Sequence, residues 1–335
     1  MDEKRVYELN KRVANCEKVN GILIESIQTL SDAYNALVSD LECFKNNVMY
    51  EVTDERLEKN LLEVPKVLSC DETLDELLKG KKSMCRFGDG EFACISGNLR
   101  AKFTATYSEK LAKKLLQVLE NDDDNIMIAI ADNYGNLEKY SESSKREIRN
   151  YMSNGAREEH MKLLNAKRTY YNAYVTRPYI TFADVFTSEP QKRFDKIKLL
   201  WENRDVILIE GIYTRFGVGN DLLANAKSVK RILGPAVDAI EKYDEILEAA
   251  MQENKEALYM IALGPVATVM AYDLAKSGRQ ALDIGHLDLE YEWFLRGEGV
   301  RVPVPYKYVN EMEGGENVED IHDEKYESEI KKVFK

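Results

Sequence analysis

The chain has 335 residues, of which 44% are hydrophobic and 32% are charged, and these values predict a soluble globular protein of one large domain with an appendage, or of two domains. Its formal net charge of −12 argues against broad binding to nucleic acid, and no apolar run approaches the roughly 20 residues of a transmembrane helix. Five scattered cysteines without a C-x-x-C pair, and an amino terminus without an apolar signal core, predict a reducing, cytoplasmic setting.

The amino-terminal residues carry a heptad pattern. From Val6 to residue 48, apolar side chains recur at alternating steps of three and four, and no proline interrupts them. Asn20 falls at an a position, where a buried amide can fix the register and the oligomer number. The pattern predicts a helical, coiled-coil segment over residues 1–62 that assembles the chain into a homo-oligomer. The alternative is a helical hairpin broken near Gly21 or Ser31.

From about residue 66, short apolar runs alternate with amphipathic segments. Strands are predicted at residues 83–87, 126–131, 169–175, 206–209, 229–233, 258–263 and 281–284. Helices are predicted at residues 71–78, 190–201, 236–251 and 265–276, and the tail after residue 311 is predicted to be a weak surface helix. The alternation predicts an α/β protein with a Rossmann-like, mostly parallel sheet and helices on both faces. Ligands of such sheets bind beyond the carboxyl ends of strands.

The loop after the first long strand holds two carboxylates, Asp89 and Glu91, on either side of Gly90. Carboxylates at this spacing can reach one hard cation, while glycines let a diphosphate approach the backbone closely. Gly88 precedes them, and Arg86 adds a guanidinium that suits phosphate. The loop therefore predicts a Mg²⁺ or Mn²⁺ site completed by phosphate and water; the competing interpretation is an ordinary turn.

Further candidate donor contacts follow later strands. Arg215 lies in a glycine-containing loop, predicted to open a helix at Asn220 or Asp221, and Lys227 adds positive charge beyond it. Arg177 precedes a proline that forces an extended path and can aim its side chain into a cleft.

At another strand-to-helix junction, Gly264 and Pro265 allow close approach of a nucleotide, although the full G-x-G-x-x-G spacing is absent.

The segment after residue 284 is dense in groups that could carry chemistry. His286 could ligate the metal or polarise a phosphate, and Asp288 or Glu290 could deprotonate an acceptor hydroxyl. Asp221 is a third candidate for that base, and the sequence does not choose among the three. Glu292 is expected to be solvated and Trp293, which follows it, to be buried.

These fragments together resemble the GT-D-type glycosyltransferases, a bacterial family with a Rossmann-like sheet and a D-x-E metal motif. The resemblance covers about residues 66–330. Its matching stretches are RFGDGE (86–91), TRPYI (176–180), EGIYTRFGVGNDL (210–222), KSVKRILGP (227–235), LGPVATVMAYDLAKSG (263–278), ALDIGHLDLEYEWF (281–294), YVNE (308–311) and DEKYESEI (323–330). The resemblance implies that Asp89 and Glu91 bind the metal and the diphosphate.

The resemblance also implies a nucleotide-sugar donor, often a UDP-sugar, with glucose as one candidate sugar. The acceptor would be a carbohydrate of a surface polysaccharide or glycoprotein glycan. We therefore expect a metal-dependent glycosyltransferase. The alternatives are another metal-dependent sugar-nucleotide enzyme, such as a hydrolase, and a non-catalytic nucleotide-binding scaffold built on the coiled coil.

Overall fold

The structure is a computed structural model that describes residues 2–59, 61–97, 108–312 and 314–335. By its internal contacts the chain forms two compact units, residues 1–61 and residues 62–335. None of the helices in these described ranges is both long and apolar enough to cross a membrane.

The first unit is one uninterrupted helix, α1 (Glu3–Glu58). The alternative of a hairpin broken near Gly21 or Ser31 is wrong, because the helix continues through both residues. A single glycine costs a helix only about 1 kcal/mol, and no proline is present to break this one. The apolar heptad side chains are exposed in the single chain, as illustrated by Leu30 and Phe44, each 70% exposed. Coiled-coil assembly remains a prediction.

We expect the full chain to be an oligomer in solution. The substitution Ile27→Glu should lower the molar mass of the assembly, because residue 27 lies on the heptad seam and a charge buried there has no partner. Ile22 lies off the seam on the same helix and is exposed to a similar degree, 55% against 64% for Ile27. Ile22→Glu should therefore leave the mass unchanged. Light scattering coupled to gel filtration measures both, and a monomeric wild-type chain would contradict the prediction.

Within the described ranges, the second unit is built on a sheet of nine parallel strands. The strands are β1 (Lys66–Val67), β2 (Ser83–Phe87), β3 (Ile126–Ile130), β4 (Thr169–Asn172), β5 (Asp205–Gly211), β6 (Ser228–Gly234), β7 (Leu258–Ala262), β8 (Gln280–Asp283) and β9 (Ile330–Val333). Their order is β1-β4-β3-β2-β8-β7-β5-β6-β9, and every pairing is parallel. The predicted fold class, a Rossmann-like parallel sheet with helices and an amino-terminal helical segment, is confirmed.

Helices connect the strands. They are α2 (Cys70–Lys79), α3 (Asp89–Ile95), α4 (Glu109–Leu119), α5 (Glu142–Tyr151), α6 (Arg157–Leu163), α7 (Glu189–Lys198), α8 (Tyr243–Met251), α9 (Val266–Lys276), α10 (Leu287–Arg296) and α11 (Glu324–Glu329). A π-helical turn (Met152–Ala156) joins α5 to α6, and 3₁₀ turns lie at Ala173–Thr176 and Ala239–Lys242.

Four predicted elements differ from the structure. The tail predicted as a weak surface helix ends in β9, because these residues pair with β6 at the edge of the sheet. In two of the other three elements an asparagine explains the difference. The strand predicted at 169–175 ends at Asn172, whose side chain accepts a hydrogen bond from the N–H of Tyr174 at 3.0 Å and turns the chain. No helix opens at Asn220 or Asp221, because the Asn220 side chain likewise accepts from the N–H of Leu222 at 3.0 Å. The helix predicted from residue 236 begins only at 243, after a 3₁₀ turn.

The strand order places three carboxyl ends side by side. β2 pairs with β3 on one side and with β8 on the other, and β8 pairs with β7. The chain runs outward in opposite directions from the β2–β8 boundary, so this boundary is a topological switch point. A crevice opens at the carboxyl ends of the strands at such a point. The loops after β2, β7 and β8 therefore border one cleft.

Helix α3, which begins in this cleft, rests on a buried histidine. The ring of His160 stacks on Phe92 of α3 with the ring centroids 3.8 Å apart. Its Nδ1 and Nε2 each lie 2.8 Å from a tyrosine hydroxyl, those of Tyr134 and Tyr151. Burial, together with the charge of Arg157, lowers the pKa of His160 to about 4. The imidazole is therefore neutral at physiological pH.

We expect the free energy of unfolding to decrease as the pH falls from about 6.5 to about 4, because the unfolded chain takes up the His160 proton first. This residue should account for about 3 kcal/mol of that loss. Urea titrations at the two pH values measure it. The loss should shrink in His160→Gln and persist in His322→Gln, which alters a fully exposed histidine. An unchanged pH dependence in His160→Gln would contradict the assignment.

Candidate active site

The D-x-E loop opens helix α3. Gly88 is the N-cap, Asp89 is the first helical residue and is exposed, and Gly90, which follows it, is buried. The N–H of Gly88 donates to Oε2 of Glu91 at 2.7 Å, so Glu91, the third residue of the helix, satisfies the N–H of the N-cap residue. Burial, and then the charge of Asp283, raise the pKa of Glu91 to about 7. The two acids thus differ. Asp89 is exposed, whereas one carboxylate oxygen of Glu91 is hydrogen-bonded within the loop.

Arg86 joins β2 to the neighbouring β8. Its Nη2 donates to Oδ1 of Asp283 at 2.8 Å, and its Nε donates to the backbone oxygen of the same residue at 2.9 Å. Gly285 makes room for the guanidinium, because a Cβ at this residue would lie 2.0 Å from Nη2. Thr268 of α9 donates to the Arg86 carbonyl at 2.8 Å. The guanidinium of Arg86, which was predicted to contact phosphate, thus already pairs with the carboxylate of Asp283.

Arg177, His286 and Glu311 form a cluster at the carboxyl ends of β4 and β8. Nη2 of Arg177 lies 2.6 Å from Nδ1 of His286, and since a guanidinium only donates, Nδ1 accepts. Nη1 of Arg177 donates to Oε2 of Glu311 at 3.1 Å, and Nδ1 of His286 lies 3.2 Å from Oε1. Burial opposes the charge of Glu311, but the charge of Arg177 holds its pKa well below its ordinary value. The charge of Asp89 also acts on Arg177.

Sequence reasoning did not select Glu311 as a site residue. Its signal in the sequence was the YVNE stretch at residues 308–311, which carried no assigned role. Glu311 also contacts Arg301 at 3.2 Å, so it links the segment after α10 to the cluster.

Glu290 lies deep under the segment that carries Arg177. Its Oε2 accepts hydrogen bonds from the N–H groups of Tyr179 and Ile180, each at 3.0 Å, and the residue is 1% exposed. Burial raises the pKa of Glu290 against the opposing charge of Arg177. Its role as the base for the acceptor stays a prediction, and the geometry favours a carboxylate that holds the chain beyond Pro178 in place.

Asp288 has both carboxylate oxygens engaged in hydrogen bonds. Oδ1 accepts from the N–H of Gly217 at 2.9 Å and from Asn220 Nδ2 at 2.8 Å, and Oδ2 accepts from the buried Lys307 Nζ at 2.6 Å. Glu292, expected to be solvated, is instead buried beside it and accepts from Lys307 at 2.9 Å. The expectation for Glu292 is wrong because Lys307, nineteen residues beyond Asp288, supplies an interior cation. Trp293 is buried, as predicted.

Two predicted site residues lie away from the cleft. The Asp221 carboxylate accepts hydrogen bonds from the Tyr291 hydroxyl and from Lys198 Nζ. Lys198 is the last residue of α7, and the chain after this helix leads to the amino end of β5. Lys227 donates to Asp205 at 3.1 Å, and these two residues mark the amino ends of β6 and β5. The structure thus places Lys227 at the opposite edge of the sheet from Asp89.

Arg215 is buried and donates from Nη1 to two backbone carbonyls, those of Tyr306 at 2.8 Å and Glu319 at 2.7 Å. Its backbone φ is +48°, in the left-handed region. The guanidinium therefore connects the loop after β5 to the carboxyl-terminal part of the chain. Its hydrogen bonds go to backbone carbonyls and do not provide the predicted phosphate contact.

The loop after β7 does border the cleft. Gly264 is exposed with φ at +57°, and Pro265 is the N-cap of α9, beside the loop that follows β8. Within the described residues, no group of three or more histidine, cysteine or acidic side chains is arranged to hold a metal. One or two carboxylates nevertheless fit the usual Mg²⁺ chemistry, in which substrate phosphates and water complete the shell.

Known proteins are similar to this chain in sequence and fold. Residues 84–312 match the family described as glycosyltransferase GT-D fold. The chain is 34% identical over 286 residues to Probable glycosyl transferase Gly of Streptococcus gordonii, and 32% identical over 284 residues to Glycosyltransferase GlyD of Streptococcus pneumoniae serotype 4. These matches cover 84% and 83% of this chain but 41% and 34% of those proteins, so the chain spans less than half the length of these curated relatives.

Solved structures agree. A glycosyltransferase (DUF1792) from Streptococcus sanguinis superposes with a TM-score of 0.75 at 32% identity, covering 81% of this chain and all of that one. A structure of the domain of unknown function 1792, described as having a distinct glycosyltransferase fold, gives 0.74 at 30% identity over 88% of this chain and all of that one. The chain therefore belongs to the glycosyltransferase GT-D fold family.

Proposed function

We propose that this chain transfers a sugar from a nucleotide-sugar donor to a carbohydrate acceptor in the assembly of a surface polysaccharide or a glycoprotein glycan. The observation that carries the proposal is the convergence of Asp89, Arg177 and His286 at the carboxyl ends of neighbouring strands. A UDP-sugar is the expected donor, with glucose as a candidate, and the cytoplasm is the expected location. The names of the relatives support sugar transfer, while donor and acceptor rest on the family resemblance.

In this proposal the donor diphosphate binds beside Asp89 and Arg177. The guanidinium of Arg177 and the imidazole of His286 would share the charge of the diphosphate, because positioned donors stabilise the charge that develops on a leaving group. Gly264 and Pro265 would border the nucleotide, and Gly88 and Gly90 would allow the phosphates to approach the backbone. Arg86 would act indirectly, by fixing the loops after β2 and β8.

A divalent cation, Mn²⁺ or Mg²⁺, would bind Asp89 and Glu91 together with the diphosphate. When bound, such a cation neutralises charge on the departing nucleotide. The exposed Asp89 suits direct ligation, whereas Glu91 would give the oxygen that is not bonded to Gly88. Asp288, Glu290 and Asp221 stay as candidates for the base, although their present hydrogen bonds favour positioning roles.

We expect EDTA to abolish sugar transfer and added Mn²⁺ or Mg²⁺ to restore it. Asp89→Asn should lower kcat by about a hundredfold because a neutral amide binds a hard cation poorly. Asp124→Asn, at an exposed acid between α4 and β3, is the matched control and should retain activity. Radiolabelled sugar transfer measures all three; full activity in chelator would remove the metal from the proposal.

Glu91→Gln separates ligation from helix capping. Glutamine can still accept the Gly88 N–H, so the first turn of α3 should persist and circular dichroism should not change. We expect kcat to fall strongly, because the substitution removes the charge that a cation needs. Wild-type kcat in Glu91→Gln would instead mean that this residue acts only as a cap.

We expect Arg177→Lys and His286→Ala each to weaken UDP binding by about tenfold, because lysine lacks the planar guanidinium fork that matches phosphate. Calorimetry with UDP and Mn²⁺ measures the affinity independently of transfer. Arg146→Lys, at an exposed arginine of α5, is the control. Unchanged UDP affinity in both cluster variants would place the diphosphate elsewhere. Transfer of the sugar to a glycan rather than to water excludes the hydrolase alternative.

A further inference from the structure

A second cavity opens at the same edge of the sheet as the cleft. It has a volume of about 370 Å³ and lies between the start of α2, residues 172–183 after β4, and helix α7. We call it the α2–α7 cavity. Its apolar wall is formed by Leu74, Val175, Phe182 and Ile197. The volume lies within the roughly 300–1,000 Å³ typical of small-molecule sites.

The α2–α7 cavity and the proposed donor site lie on the same segment of chain. Tyr174 and Pro178 line the cavity, and Arg177, between them in the chain, contacts His286 and Glu311. Burial raises the pKa of Tyr174, and the charges of Arg177 and Asp89 also act on its hydroxyl. A ligand in the cavity would therefore sit one side chain away from the groups proposed to bind the diphosphate.

The charges around the cavity cancel. Its lining holds two acids and two bases, Asp71, Asp184, Lys139 and Arg193. Nη1 of Arg193 donates to Asp184 at 2.8 Å, Lys139 pairs with Asp132, and Lys196 lies 3.4 Å from Asp71. An anion such as a nucleotide would find no uncompensated cation here. Apolar walls with a rim of paired polar groups suit a neutral polyhydroxyl ligand, whose ring carbons pack on the walls while its hydroxyls meet the rim.

The thiol of Cys70 also lines this cavity. Burial raises its pKa to about 12, so the thiol stays protonated at physiological pH and is a poor nucleophile. The cavity therefore offers binding groups rather than a second reactive centre.

We propose that the α2–α7 cavity binds a neutral sugar ring of the acceptor glycan and so presents its hydroxyl to the donor beyond Tyr174. This inference rests on the proposed glycosyltransferase function and adds to it the location and the charge class of the acceptor. It predicts that uncharged hexoses bind here and that acidic sugars do not.

The test fills the cavity at its exposed mouth. Ala183 lines the cavity and is exposed, so Ala183→Trp places an indole there without replacing a buried side chain. Ala224→Trp makes the same change at an exposed alanine in the loop after β5 and is the matched control. The probes are methyl glycosides of glucose, galactose and mannose, observed by saturation-transfer NMR on the full chain. UDP affinity is measured in parallel by calorimetry.

We expect the wild-type chain and Ala224→Trp to bind at least one methyl hexoside, and Ala183→Trp to bind it about tenfold more weakly. UDP should bind all three alike. Equal hexoside affinity in Ala183→Trp and wild type, or no hexoside binding by the wild-type chain, would overturn the inference while leaving the donor site intact. Failure of the wild-type chain to bind UDP would overturn the proposed function, and the acceptor site with it.

Discussion

The hydrogen bonds between Arg86 and Asp283 are the contact on which the cleft depends. β2 and β8 pair at a single register position, Met84 with Leu282, whereas β5 and β6 pair at seven. With so short a ladder at the switch point, the guanidinium fork supplies the connection that backbone bonds supply elsewhere. The Asp283 side chain is 2% exposed, and the desolvation of such a pair offsets much of its attraction. Its contribution is therefore mainly geometric: it fixes the spacing of the two loops that begin beside it.

Helix α10 extends this control to the surrounding loops. Three of its acids point inward and each holds a different stretch of chain: Asp288 holds the backbone at Gly217, Glu290 holds the backbone after Pro178, and Glu292 shares Lys307 with Asp288. Buried carboxylates are tolerated only when paired or hydrogen-bonded, and all three satisfy that condition. Asp288 and Glu290, which the sequence indicated as candidates for catalysis, thus each hold a loop that borders the cleft.

Structural features that depend on interactions between residues close in sequence could be predicted, whereas features that depend on residues far apart in sequence could not. The runs at residues 126–130 and 258–262 are buried along their whole length, so their strand character is local and predictable. The four-residue strand β9 could not be predicted locally, because its position depends on pairing with β6, about a hundred residues earlier in the chain. Lys227 was selected for its charge alone, and only the strand register shows that it lies at the amino edge.

The same limit applies inside the site. The glycines and acids of the D-x-E loop are recognisable from their spacing in the sequence. Glu311, in contrast, contacts Arg177 across 134 residues of sequence, and no local pattern encodes that contact.

The segment that carries Arg177 separates two environments of opposite electrostatic character. On one side, the charge of Arg177 is balanced by Glu311 and by the nearby Asp89, so a bound anion or cation can shift this balance. On the α2–α7 side, every rim charge already has a partner, so a charged ligand would have to break an existing pair. Breaking such a pair leaves an uncompensated charge, which costs more than an exposed pair contributes. In our proposal, the short turn held by Glu290 would direct an anionic donor to one side and a neutral acceptor to the other, so that the two substrates would not compete for one surface.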